Sequence, residues 1–428
     1  MENFRIESLE INKIGPFKYM NLTFPQKKEE NKAEVHILTG GNGTGKTTIL
    51  ESLIFPVYKE RNKQGVTKKA WNLHINNTNL ILKFTNRESF SAYAKDGEFH
   101  DLNQSSIIQQ YSQRYQQGLE ALFKVVFFAY SGYRRLEETN VLGIQEIQEH
   151  PLQNAHNFNL SINPQNLIQW LVNIQTRELI AKGKGDIAKA KQYRNTIGII
   201  ENALGEIIES EVQFDLEEDP LGVKIKVDGQ ALNFDQLPDG LKSMVSWMGD
   251  LLMRMDRLKW VNNTPVLERN FILLLDEIEV HLHPAWQRKI LPVVQKLFKN
   301  AQIFISTHSP FVVGSVDGAW VHRFVKKDGY SVLAGEPIVS EDAKSYDYIL
   351  EEIFGIKERF GVEVERKLHE FQEAKKALLS NHNEGIEHKI RVLVQELTGQ
   401  STELDSIIGM ELRQLKRLTN QDFSLIEA

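Results

Sequence analysis

The run Gly40-Gly41-Asn42-Gly43-Thr44-Gly45-Lys46-Thr47 constrains this chain most, because it stands between the apolar stretch Val35-His36-Ile37-Leu38 and the helix-like stretch Thr48-Ile49-Leu50-Glu51-Ser52-Leu53. Glycines at positions 40, 43 and 45 let the backbone turn tightly, so that several N–H groups and a helix N-terminus face one anion. In such a loop Lys46 reaches the β- and γ-phosphates of a nucleotide and the Thr47 hydroxyl ligates Mg²⁺. The expected cofactors are therefore ATP and Mg²⁺. The expected nucleotide ligands are Gly40, Asn42, Gly43, Gly45, Lys46, Thr47 and Thr48, and a strand before and a helix after set the run apart from an ordinary Gly-rich turn.

A second half-site lies far along the chain. Phe271-Ile272-Leu273-Leu274-Leu275 is an unbroken apolar run, the pattern of a strand buried on both faces, and it ends in Asp276-Glu277. Ligands of parallel sheets sit at such strand ends. Asp276 is placed to hold the Mg²⁺ shell and Glu277 to orient and deprotonate a water. After Ile278-Glu279-Val280-His281-Leu282-His283-Pro284 come an amphipathic helix and a second apolar strand, Ala301 to Ser306, closing on Thr307-His308-Ser309-Pro310. On a strand His281 and His283 would share a face, yet no third metal ligand of suitable spacing accompanies them, which favours a structural or interface role.

This order of parts resembles the ABC-type ATPase superfamily, and specifically its soluble RecF-like and overcoming-lysogenization-defect-like branch. The resemblance implies that His308 senses the γ-phosphate, and that the turn after Glu277 contacts an opposite subunit. It also implies a signature loop that caps the nucleotide from a second subunit. Leu237-Pro238-Asp239-Gly240-Leu241-Lys242-Ser243 is the candidate, with Gly240 as the nucleotide-facing residue. Pro238 stands where the family has a serine, which removes one donor to the γ-phosphate and implies weakened or partner-dependent hydrolysis. Leu122–Tyr130 looks like the strand before the loop that normally supplies a glutamine, but Ser131-Gly132-Tyr133-Arg134-Arg135 follows and holds none. That stretch resembles the aromatic-Gly-Arg loop of the RecF-like branch; an arginine pair on a solvated loop is the alternative.

The rest of the chain frames these motifs. Alternation over residues 4–24 and 70–100, with turn signals at Gly15-Pro16, Asn76-Asn77 and Asp96-Gly97, predicts a β-rich N-terminal lobe. The Gln-rich stretch 103–121 reads as helical or irregular. Helical periodicity predicts an insert over about 160–211, far shorter than the arms of SMC-type proteins, and a hairpin over 223–230 that returns the chain to the sheet. A further β hairpin ends near Pro337, and three apolar stripes follow. They are Val364, Leu368, Phe371 and Leu378; Ile386, Ile390, Leu393 and Leu397; and Leu404, Ile408, Leu412, Leu415 and Leu418. The fold expected is α/β, an ABC-type P-loop ATPase with a mixed or parallel central sheet, as a composite domain over 1–340 and a helical assembly or docking module over 341–428.

Composition excludes some functions and leaves others open. With 428 residues, 41% of them hydrophobic, the chain can bury a large core, and a net charge of −6 neither demands nor forbids nucleic acid. The absence of cysteine removes disulfide and thiol chemistry, and no apolar run reaches spanning length, so a cytoplasmic protein without a membrane partner is expected. DNA is a candidate partner at two basic sets, Lys59, Arg61, Lys63, Lys68 and Lys69 near Trp71, and Lys182, Lys184, Lys189, Lys191 and Arg194; solvated faces are the alternative. The strand-end glutamate and Asp-x-Asp of a Toprim nuclease are not evident, and His382 and His388 lack the surroundings of an HNH site. Over residues 4 to about 365, including Ile349-Leu350-Glu351-Glu352-Ile353-Phe354-Gly355, the chain resembles stand-alone AAA_21-type ATPases of bacterial antiphage systems, among them those of Septu and retron systems. That resemblance implies a homo-oligomer controlling a separate effector such as a nuclease. A RecF-like DNA-repair ATPase is the alternative, and a transporter subunit fits the loops less well.

Overall fold

Alternating apolar and polar residues build an antiparallel sheet before the glycine-rich loop is reached. In this computed structural model, which describes residues 4–59, 78–85, 87–95, 98–103, 105–132, 141, 143–158, 162–341, 343–380 and 383–423, β1 (Ile6–Ile14) pairs with β2 (Phe17–Thr23). The chain then leaves that sheet in β3 (Glu34–Gly40), buried from Glu34 to Thr39, and enters α1 (Lys46–Lys59). The strands β4 (Thr78–Phe84), β5 (Ser89–Lys95) and β6 (Glu98–Asn103) complete a five-stranded sheet in the order β2-β1-β4-β5-β6. The turn signals at Asn76-Asn77 and Asp96-Gly97 lie outside the described residues. Ser105 caps α2 (Ser106–Gln116), the helical part of the Gln-rich stretch.

The single strand expected over Leu122–Tyr130 is two, β7 (Leu122–Phe123) and β8 (Val126–Tyr130). Lys124 is exposed, whereas every residue of β8 is buried, and a lysine cannot continue a strand covered on both faces. The insert is the helical pair α3 (Pro164–Gly183) and α4 (Ile187–Ile208), capped by Asn163 and Asp186. Its stripes, including Leu167, Leu171, Ile197, Ile200 and Leu204, are buried. The hairpin after it does not return to the central sheet. With β9 (Val212–Glu218), β10 (Leu221–Val227) and β11 (Gln230–Leu232) it forms a separate three-stranded sheet. The reason is visible in β10, where Val223 and Ile225 are buried while Lys224 and Lys226 pair with Glu217 and Asp215 at the surface. Such a strand has one wet face.

From α5 (Asp239–Arg257) the chain passes through β12 (Lys259–Trp260), which pairs with β7, into β13 (Phe271–Leu275). The helix α6 (Pro284–Leu297), β14 (Gln302–Ser306), α7 (Pro310–Val313) and β15 (Trp320–Lys327) follow, then β16 (Tyr330–Leu333) and β17 (Ile338–Val339). These complete a mixed seven-stranded sheet in the order β16-β15-β3-β14-β13-β8, with β17 also on β15. The five strands from β15 to β8 run parallel, and β16 and β17 run antiparallel to β15. No helix of the described residues is long and apolar enough to cross a membrane.

Residues 341–354 pack with this first compact unit, Met1–Phe354. In α8 (Tyr346–Ile349) Ile349 joins the core and Tyr346 meets Phe311 edge to face at 4.9 Å, before the π-helical turn Leu350–Phe354. The second unit, Gly355–Ala428, contains α9 (Val362–Ser380), α10 (Glu384–Leu397) and α11 (Thr402–Thr419). The three stripes bury themselves on one another, with Phe371, Ile390, Leu397, Ile408 and Leu415 at the centre. Leu418, assigned to the third stripe, is instead 58% exposed.

A buried polar chain crosses the central sheet between β3 and β15. His36 Nδ1 lies 3.2 Å from His322 Nε2, and His36 Nε2 lies 2.9 Å from Glu34, which Arg5 holds at 2.7 Å and Gln302 at 2.6 Å. Burial pushes both histidines below their ordinary value, His322 furthest; Glu34 opposes this at His36, and each imidazole would repel the other's charge. A histidine with a depressed folded value stabilises the protein fully above about pH 6.5, and that contribution is lost as pH falls below it. Urea midpoints are therefore expected to fall between pH 7 and pH 5, and to fall less in His322→Gln; equal falls in both proteins would show that the pair does not carry the effect.

Candidate functional site

Because β3, β14 and β13 are neighbours and parallel, the loops at their C-terminal ends meet on one edge of the sheet. The loop after β3 is held by close backbone approach. Gly40 has φ +148° and a side chain there would meet the Phe324 carbonyl at 2.3 Å, while one at Gly45, φ +91°, would meet the Phe17 ring at 2.5 Å. The Thr44 hydroxyl donates to the Gly41 carbonyl at 2.8 Å. Lys46 Nζ donates to the carbonyls of Gly40 at 3.1 Å and Gly41 at 3.3 Å. Burial draws Lys46 below the ordinary lysine value, and the charges of Asp276, Glu277 and Glu279 oppose that shift. Asn42 and Gly43 are exposed on the loop, and Thr48 packs against the Gly15 turn.

The two distant motifs meet through side chains. The Thr47 hydroxyl donates to Asp276, 2.9 Å from Oδ2 and 3.1 Å from Oδ1, and Ser306 Oγ donates to Asp276 Oδ1 as well. The Asp276 N–H donates to the Tyr130 carbonyl at 2.8 Å. Glu277 stands at φ +51°, a conformation that non-glycine residues avoid, fixed by its N–H on the Ser306 carbonyl and hydroxyl at 3.1 and 2.9 Å. Burial and the neighbouring Asp276 raise Glu277 above the ordinary carboxylate value, against Lys46. Gly132 underlies this turn, since a side chain there would meet the Glu277 carbonyl at 2.5 Å. Tyr133, Arg134 and Arg135 lie outside the described residues.

His308 is brought to the same edge. The N–H of the preceding Thr307 donates to the Leu38 carbonyl at 3.1 Å, and the His308 N–H donates to Glu279 Oε1 at 2.6 Å. Burial and the Lys46 charge lower the imidazole, while Asp276 opposes them. His281 and His283 are not on a strand. They stand in a turn, where His281 has φ +65° and His283 caps α6 by accepting the Ala285 N–H at 3.2 Å. Gly240, in the first turn of α5, is buried, and a side chain there would meet the His281 carbonyl at 2.7 Å. Within this chain the candidate signature loop is thus packed onto the turn that follows Glu277. The same helix is anchored at depth by Asp250, which accepts from the Tyr130 hydroxyl at 2.8 Å and from Arg254 at 2.5 Å.

Three contributors were not singled out from the sequence. Ser306 ends β14 one residue past the Leu275–Ile305 pairing, which places its hydroxyl beside Asp276. Glu279 follows Glu277 by two residues and binds the His308 backbone; burial raises it above the ordinary carboxylate value. Glu51 lies one helical turn after Thr47 on α1, so the two share a face, and burial together with the Asp276 charge raises it to about 7. The spacing was the available signal for Glu51. All these groups offer oxygen, the donor set of a hard divalent cation, and Thr47 with Asp276 fits Mg²⁺.

Residues 200–314 match the AAA_21 family, described as "AAA domain, putative AbiEii toxin, Type IV TA system", and residues 4–96 match AAA_27, described as "AAA domain". Two stretches of the chain thus match ATPase-domain families. The chain is 27% identical over 229 residues to the retron Ec83 probable ATPase of Escherichia coli, covering 53% of this chain and 40% of the relative. The Septu protein PtuA of Bacillus mycoides is 22% identical over 319 residues, covering 73% of this chain and 39% of the relative. The chain thus spans about two-fifths of the length of these curated relatives. Among solved structures, an Smc head bound to the C-winged helix domain of ScpA aligns with a TM-score of 0.46 at 14% identity, over 79% of this chain and 98% of that one.

Glu51 gives the ATPase domain a measurable pH signature. A carboxylate raised to about 7 costs stability once it ionises, so the cost is full above that pH and vanishes as pH falls to the ordinary carboxylate range. Glu51→Gln is expected to stabilise the nucleotide-free protein by about 1–3 kcal/mol at pH 8 and by almost nothing near pH 4, read from urea unfolding. A gain independent of pH would exclude this origin.

Proposed function

We propose that the chain binds and hydrolyses ATP as the regulatory subunit of a bacterial antiphage complex, self-associating and controlling a separate effector, for which a nuclease is the leading class. The observation that carries the ATPase reading is the Thr47–Asp276 hydrogen bond, which sets a phosphate loop and a Glu277 turn side by side. Gly40, Asn42, Gly43, Gly45, Lys46, Thr47 and Thr48 cradle the phosphates, Thr47 and Asp276 hold Mg²⁺, and the ion supplies charge neutralisation on the phosphates when bound. Glu277 orients the attacking water and takes its proton; its raised affinity for protons suits a base. His308, kept neutral by burial and by Lys46, senses the γ-phosphate. The exposed start of α5, Pro238-Asp239, faces the site of a second subunit, with the buried Gly240 packed behind it. The defence role is supported by similarity to proteins named as retron and Septu components.

The second reading, a RecF-like DNA-binding ATPase, draws on the insert, where Lys184, Lys189 and Lys191 are exposed around the α3–α4 turn. ATP-dependent retention of duplex DNA by the isolated protein would favour it.

Lys46→Ala is expected to abolish nucleotide binding, whereas Glu277→Gln keeps binding, accumulates an ATP-bound dimer and slows hydrolysis by about 10²–10⁴-fold, measured by calorimetry, sedimentation and phosphate release. Equal loss of binding in both variants would refute these roles. Mass spectrometry of material purified from native expression is expected to recover a stoichiometric second polypeptide; recovery of this chain alone, with robust ATP turnover, would count against effector control.

A further inference from the structure

The parallel pairing of β15 with β3 runs from Trp320 opposite His36 to Phe324 opposite Gly40, where β3 turns into the phosphate loop and β15 runs on to Lys327. Side chains alternate along a strand, so Lys326 points to the same face as Phe324, two residues beyond the last pairing. The overrun carries its ammonium to the loop: a Cβ built on Gly43 would stand 3.3 Å from Lys326 Nζ. Among the described residues Lys326 has no ion pair and no side-chain hydrogen bond, while Lys46 is held by two loop carbonyls. Strand order sets the charge layout. Counting from β3, the carboxylates Asp276 and Glu277 follow β13 on one side, and Lys326 stands on β15 on the other.

We propose that Lys326 supplies a second positive charge to the polyphosphate of the bound nucleotide, from the side of the loop away from Asp276. The assignment rests on the nucleotide reading above and adds to it a determinant of phosphate-chain affinity. An exposed charge beside a phosphate chain acts through a high dielectric, which scales its effect to about three- to tenfold in affinity and makes it sensitive to salt.

The test is equilibrium binding of fluorescent ATP and AMP analogues to the full chain at low and high salt. Lys326→Met is expected to weaken ATP binding about three- to tenfold, Lys326→Glu to weaken it further, and Lys326→Arg to stay near wild type, with a smaller loss for AMP and a shrinking loss in high salt. Thermal unfolding should be unchanged, since the side chain is exposed. If the wild type binds ATP and Lys46→Ala does not, yet Lys326→Glu binds like the wild type, this assignment alone fails. Equal losses for ATP and AMP with a lowered unfolding temperature would also overturn it. A wild-type chain that binds no ATP would overturn the nucleotide reading and this assignment with it.

Discussion

The hydrogen bond from Thr47 to Asp276 is the contact on which the rest of the site depends. It requires β14 to lie between β3 and β13, because Ser306 at the end of β14 holds both Asp276 and the Glu277 backbone. Every residue of β13 and β14 is buried, so neither strand end can shift without opening the core. The same strand end reaches deeper. Asp276 bonds Tyr130, Tyr130 bonds Asp250, and Asp250 bonds Arg254, so the carboxylate edge and α5 belong to one hydrogen-bonded scaffold.

The site carries an excess of negative charge around one lysine. Glu51, Glu277 and Glu279 are all raised by desolvation, the first two also by Asp276, and the charges of Asp276, Glu277 and Glu279 favour the Lys46 cation against its own burial. Crowding carboxylates at partial burial is unfavourable by itself. A divalent cation changes the sign of that balance, which gives a physical reason for oxygen donors to converge here.

What was legible in the sequence is what has a period or a forced backbone. The phosphate loop, β13, β14 and the helical insert announce themselves as glycine spacing, unbroken apolar runs or helical stripes, and each stands where expected. Ser306 and Glu279 gave no such sign, because their roles exist only through a neighbouring strand or loop that sequence order does not reveal. The break at Lys124 and the separate sheet of β9, β10 and β11 were missed for a related reason: apolar alternation records a buried face but not which sheet supplies the cover. The stripes of α9, α10 and α11 mark apolar faces as far as Leu415, and these faces cover one another.

The separation of the two halves bears on how the molecule comes into being. Thr47 and Asp276 are 229 positions apart, so the bond between them closes only after most of the first unit has been synthesised. A nascent chain that has extruded the glycine loop alone has no partner for that threonine. The complete Thr47–Asp276 pair is therefore a property of the finished first unit, and any ligand held by both residues would act as a late lock on a sheet assembled from distant parts of the polypeptide.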